Sequence, residues 1–400
     1  MKKWRGELVQ LALLSTAFLT ATPTSHSAEA IPVRRAAISP LVRDARSFLD
    51  IQDFLGLRVF LRKAYFKPIT YREWYDLKTL INNYSERVGF DLVNYWNARH
   101  PKGKSNFDKT MEYADSLMLA GRFRDAFVEY QKMAGYLKRL NIFYRRYSGN
   151  SAVRERMKDV SIIYPFVLQS MARALYASGR YEEALTVYTW ISPSYQRFRQ
   201  VLFEKMWAAF RAGRVEIALG SVASQRSAYF SKYLSPESYL IQTYIYRRLC
   251  RNDDLAEVIG EMKQYEAALA KNRMSIWVGN DIETHVLWRL TREDKGIKSP
   301  LITPGERDRE RAEIMSALNR AFQMQKPKIL TDLRTAMAYA HLATVADTSN
   351  VLKPIQKLNS REELSALDLE IWPADASEEW VDEIGTHVLI GESLCNAPKT

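Results

Sequence analysis

The feature that most constrains this 400-residue chain is an echo. Residues 174–190 read ALYASGRYEEALTVYTW. At a spacing of 34 residues, Gly179, Tyr181, Ala184 and Tyr188 return as Gly213, Val215, Ala218 and Val222. The same offsets occur earlier as Gly121, Phe123, Ala126 and Tyr130. On both sides of Gly179 the apolar residues fall at three- and four-residue steps: Leu168, Met171, Ala172 and Leu175 before it, Tyr181, Ala184, Leu185 and Tyr188 after it. That spacing forms one face of a helix. A glycine just past a helix end takes the left-handed conformation that other residues resist. Each unit therefore reads as two helices joined by a tight turn. The small residues let helices approach closely, and the aromatics fill the gaps between units.

The adjacent carboxylates Glu182 and Glu183 raise an alternative, a catalytic acid pair. Neighbouring residues on a helix point about 100° apart and share no face. Both glutamates also fall in the first turn of their helix, where negative charge complements the helix dipole. Glu362-Glu363 and Glu378-Glu379 read the same way, and all three pairs are taken as structural.

A 34-residue unit built on Ala-Gly-Arg-aromatic-x-x-Ala resembles the tetratricopeptide repeat (TPR). The unit at 165–198 carries the pattern in full, with Ala172 as the small residue before the turn and Ala114 as its counterpart in the first unit. The third unit departs from it, with Met206 there. A weaker unit spans 238–262, opened by Ser235-Pro236-Glu237 as cap and first turn, with Arg251 or Asn252 in place of the turn glycine. The resemblance implies an all-α, right-handed TPR-like helical solenoid with a helical N-terminal cap and a small mixed C-terminal tail. The expected divisions are a signal peptide (1–30), the cap (31–106), the repeat array (107–264) with a basic insertion (141–164), a degenerate helical region (265–369) and the tail (370–400). In the cap, Thr70 and Glu73 form a capping box for a helix carrying Trp74, Leu77, Ile81 and Tyr84. Beyond the array, a polar loop at 293–309 precedes helices expected at 306–325 and 328–346. In the tail, residues 386–390 suit a strand. Residues 370–395 are similar to the tails of envelope TPR proteins of gliding or predatory bacteria.

The first 30 residues read as an export signal: Lys2, Lys3 and Arg5, an apolar run at 8–21, then Ala28-Glu29-Ala30 as a small-x-small cleavage site. The alternative is a retained anchor. No later stretch reaches about 18 apolar residues, so no transmembrane segment is expected after cleavage. The expected location is the periplasm or the exterior. The formal charge is +12. For an exported chain this favours anionic lipid headgroups, cell-wall polymers or acidic proteins over nucleic acid, or serves solubility alone. The densest basic patch is Arg145, Arg146, Arg154, Arg156 and Lys158. The two cysteines, Cys250 and Cys395, form one disulfide or stay as two thiols. A bridge closing so long a loop stabilises by roughly 4–5 kcal/mol in the chain-entropy account.

No H-E-x-x-H, C-x-x-C, G-x-S-x-G, P-loop or dinucleotide fingerprint occurs. His100, His285, His341 and His387 are not paired at helical spacing. No cofactor, metal or catalytic residue is therefore expected. A TPR array offers a concave groove lined by the first helix of each unit. The register places Phe166, Gln169, Arg173 and Tyr176 there from one unit, and Gln200, Phe203, Trp207, Phe210 and Arg211 from the next. Phe203, Trp207 and Phe210 share one face, and Trp, Tyr and Arg are the residue types that anchor interfaces. The alternative is that these rings pack against the cap or a neighbouring helix. The expectation is a non-enzymatic envelope scaffold that binds another protein. The rivals are a peptidoglycan-associated factor and a part of an envelope motility or secretion machine.

Overall fold

The structure, a computed structural model, describes residues 38–98, 106–146, 149, 151–227, 230, 233–279, 281–292, 296–345 and 384–387. The expected signal segment, Glu362-Glu363, Glu378-Glu379 and Cys395 lie outside the described residues. All regular structure among the described residues is helical, with no strand and sixteen helices. Of the strand expected at 386–390, Thr386 lies in a turn and His387 in no regular element, and the rest is outside the described residues.

Five helices come first: α1 (Pro40–Asp50), α2 (Phe54–Ala64), α3 (Tyr71–Asn83), α4 (Ser85–Val88) and α5 (Phe90–Ala98). They share a core of their own around Phe48, Leu61, Trp74, Leu77 and Trp96. The capping box at Thr70 and Glu73 opens α3, with both reciprocal bonds made. Next come α6 (Asn106–Leu119), α7 (Phe123–Arg146), α8 (Ser151–Ala177), α9 (Tyr181–Tyr188), α10 (Phe198–Ala212), α11 (Val215–Gln225), α12 (Pro236–Arg248) and α13 (Asn252–Ala270). Each of these packs on the next in the chain, and α8 also touches α10, as α10 touches α12. Ala114, Ala126, Ala172, Ala184 and Ala218 are fully buried where these helices meet. Much of the expected insertion at 141–164 is helix: it is the far end of α7 and the near end of α8.

The turns between these helices repeat one design. Gly121, Gly179, Gly213, Cys250 and Asn272 are all left-handed, with φ of 72°, 79°, 77°, 55° and 55°. At Gly179 the amide bonds to the Tyr176 carbonyl and the next amide, from Arg180, to the Leu175 carbonyl. The other four turns repeat this pairing. It is the Schellman closure, which satisfies the last carbonyls of a helix. The following residue is always arginine: Arg122, Arg180, Arg214, Arg251 and Arg273. Four of these pair with a first-turn acid of the next helix, as Arg122–Asp125, Arg180–Glu183, Arg214–Glu216 and Arg251–Asp254. In the fourth unit the turn residue is Cys250, not Arg251 or Asn252. The fully buried Leu249 ends the apolar stripe of α12, and the left-handed position follows at once.

The chain continues through α14 (Met274–Val278), α15 (Ile282–Arg292) and α16 (Pro304–Val345). Where two helices were expected at 306–325 and 328–346, one runs unbroken through Pro327. Proline removes one intrahelical bond. Buried residues on both sides of it, Ile314, Leu318 and Phe322 before and Leu333, Met337 and Ala340 after, hold the two halves in line. Helix α16 packs on α12, α13, α14, α15 and α2. The N-terminal bundle is thus more than an end cap: α3 meets α8, while α2 and α4 meet α15. Four ion pairs fasten α2 to α16: Arg58–Glu310, Arg62–Glu310, Arg62–Glu313 and Lys63–Glu306. A fifth, Asp53–Arg307, is doubly bonded and buried.

Candidate functional site

Helix α10 has two characters along its length. On one face Phe203, Trp207 and Phe210 are half-buried and lean on the core. The Trp207 and Phe210 rings meet edge-on at 6.2 Å between centroids, and Phe210 meets Tyr244 of α12 edge-on at 5.3 Å. Tyr244 in turn stacks on Tyr339 of α16 at 6.5 Å. The Arg248 guanidinium lies 5.7 Å from the centre of the Tyr244 ring. Three helices thus contribute to one row of partly exposed rings, a composition suited to burying a partner's apolar side chain. Sequence reasoning placed Phe203, Trp207 and Phe210 and missed Tyr244 and Tyr339. The signal for Tyr244 was present: Tyr176, Phe210 and Tyr244 are spaced by 34 residues, the repeat itself.

Beside this row lies a second aromatic cluster. Tyr176 meets Tyr181 edge-on at 5.3 Å. Arg211, exposed, lies 5.1 Å from the Tyr181 ring centre and donates to its hydroxyl at 2.8 Å. Gln200 is exposed, and Phe166 is 37% exposed.

Gln169 and Arg173 have another occupation. Gln169 is 1% exposed, which removes it from any open wall. Its amide donates to Glu204 at 3.0 Å and accepts from the Tyr195 hydroxyl at 3.2 Å. Arg173 engages Glu204 through Nε and through a terminal nitrogen at 2.6 Å. The Tyr188 hydroxyl donates to the same carboxylate at 3.1 Å. Burial opposes the charge on Arg173, but the hydrogen bonds and charge of Glu204 outweigh it and raise its pKa. Burial, then the Glu204 charge, raises the pKa of Tyr188. Glu204 is therefore the hub that ties α8 and α9 to α10. Sequence reasoning passed over it as one carboxylate inside an apolar run.

The opposite side of α10 is occupied by the chain itself. Lys205 is 9% exposed, and its ammonium donates to the Gly385 carbonyl at 2.6 Å. Burial lowers its pKa to about 8.

Of the basic patch, Arg145 and Arg146 are exposed at the end of α7, near the exposed Ile142 and Phe143. Arg154, Arg156 and Lys158 lie on α8, but their side chains are not described. Cys250 sits in its turn after α12, and Cys395 lies outside the described residues. Glu183, from the adjacent acid pair, is held by Arg180 at 2.5 and 2.6 Å. No group of three His, Cys, Asp or Glu side chains converges among the described residues. No described helix is long and apolar enough to cross a membrane. No family model matches this sequence, and no curated protein or solved structure matches it.

Proposed function

We propose that this chain is an exported, TPR-like scaffold of the bacterial envelope that binds another protein through the aromatic row of α10, α12 and α16, without catalysing a reaction. The observation that carries the reading is the recurrence of an aromatic side chain at one repeat position, Tyr176, Phe210 and Tyr244, with each ring left partly exposed. Partly exposed aromatics gathered at one repeat position suit the anchors of an interface. The stacked helix pairs and their repeated Schellman–arginine turns support the solenoid reading, and the apolar run at 8–21 supports export. A disulfide between Cys250 and Cys395 belongs to the same proposal, since an exported chain meets an oxidising compartment.

One observation favours a second reading. The end of α7 presents Ile142 and Phe143 at 62% and 53% exposure beside Arg145 and Arg146. Apolar and cationic groups together suit an anionic polymer or headgroup surface. Affinity capture from crosslinked envelopes separates the two. The scaffold reading expects a protein whose binding falls at least tenfold in Trp207→Ala/Tyr244→Ala. Capture of murein alone, lost in high salt, would overturn it.

A further inference from the structure

The cleft between α10 and α11 holds a short piece of the chain from far along the sequence. Ile384 is buried there. The Gly385 amide donates to the Ser224 hydroxyl at 3.0 Å, and its carbonyl accepts from Lys205 at 2.6 Å. The Ser224 hydroxyl also lies 2.8 Å from His387 Nδ1. Both groups of Gly385's backbone are thus met by side chains that are themselves buried, Ser224 fully and Lys205 nearly so.

The residue at the centre has to be glycine. Its φ of 99° is left-handed, and a Cβ there would stand 2.7 Å from the Phe198 ring and 3.2 Å from Leu202. The cleft thus recognises the main chain of Gly385 beside two side chains, Ile384 and His387. Its hydrogen bonds meet the amide and the carbonyl of one residue, and the space around that residue excludes a side chain. Main-chain bonds with adjoining side-chain pockets are how extended peptides are bound elsewhere.

The docking is also finely balanced. Lys205 faces a neutral carbonyl, and among the described residues no carboxylate meets it, so burial of its charge opposes part of what the docking gains. Departure of the segment rehydrates the ammonium.

We propose that the α10–α11 cleft is a peptide-binding site, and that residues 384–387 are its detachable ligand, docked in cis. The site reads an apolar residue, an obligatory glycine and a histidine two places on. It lies on the face of α10 away from Phe203, Trp207 and Phe210, so the inference does not depend on what the aromatic row binds.

The test uses the full chain. Gly385→Val evicts the segment by clash and strain while leaving the cleft intact. A fluorescent synthetic peptide of residues 381–390 should then bind the Gly385→Val protein saturably, and the wild type at least tenfold more weakly because its cleft is filled. Adding Ser224→Ala, which leaves the glycine amide without its acceptor, should weaken binding at least tenfold, and valine in place of the peptide's glycine should abolish it. Absence of binding to a Gly385→Val protein with wild-type circular dichroism would overturn the proposal, and so would equal binding to wild type. A second measurement needs no variant. In the wild type the Gly385 amide should exchange hydrogen through a local opening, far faster than the Ala209 amide of α10. Equal protection of the two amides would show a segment that leaves only on global unfolding, and would likewise overturn the proposal.

Discussion

Replacing Arg307 with methionine should weaken the closure of α16 on α2. Its guanidinium meets both oxygens of Asp53 at 2.6 Å, and the two side chains are 7% and 2% exposed. Without the cation, Asp53 keeps the amides of Gly56 and Ser299, each at 3.0 Å, but holds an uncompensated charge in the interior. Removing one partner of a buried pair costs about 3–5 kcal/mol. The pH dependence identifies the cause. In the wild type burial pushes the Asp53 pKa up, but the Arg307 hydrogen bonds and charge, with the Ser299 and Gly56 amides, bring it below 3.8. Its stabilisation is therefore present above that value and is lost as pH falls through the lower folded pKa. In Arg307→Met the burial effect remains while the main opposing one is gone, so the folded pKa moves upward. The deficit relative to wild type should then be full near pH 7 and shrink as Asp53 takes up a proton in acid. Urea denaturation of both proteins across this range measures it. Asp53→Asn/Arg307→Met should recover much of the loss, because the amide keeps the cap on α2 without a charge. A deficit below about 1 kcal/mol at neutral pH, typical of an exposed pair, would show that the buried charge is not what the cation offsets. So would a deficit independent of pH.

Three further outcomes are expected. Glu204→Gln removes the charge that Arg173, Gln169 and Tyr188 share, and should cost about 1–3 kcal/mol in urea denaturation, with faster amide exchange in α9 than in α13. Burial lowers the Lys205 pKa from 10.5 to about 8, so the folded chain favours the neutral amine. Stability relative to Lys205→Met should be lowest below that folded value and rise by about 3 kcal/mol as pH passes upward to the unfolded one. The proposed Cys250–Cys395 bridge predicts an intact mass with no label after alkylation without reductant, and two labels after reduction; two labels without reductant would remove it.

The turns and helix pairs were legible because they rest on local rules. A left-handed glycine and a helical apolar period survive translation into sequence, and the alanines at 114, 126, 172, 184 and 218 declare close packing. The fourth turn was misplaced because a left-handed residue need not be glycine, and Cys250 carries no signature of that conformation. Two helices were expected on either side of Pro327, yet packing along both halves of α16 keeps it one helix, and packing is a tertiary property. The closure of α2 onto α16 joins residues some 250 positions apart, as Arg58 and Glu310 are. No local pattern marks such a pairing. In the site, the aromatic faces of α10 and α12 follow the repeat, whereas Glu204 acquires its meaning from Arg173 and Tyr188 on other helices.

Protein binding by the aromatic row can be tested in place. The most direct test places a photo-crosslinking residue at Phe210 of the full chain, in cells that make it, with the exposed Tyr136 of α7 as control. The account expects one discrete protein adduct from Phe210, none from Tyr136, and loss of the adduct when Trp207→Ala and Tyr244→Ala are added. No protein adduct at Phe210, or the same adduct from both positions, would contradict it.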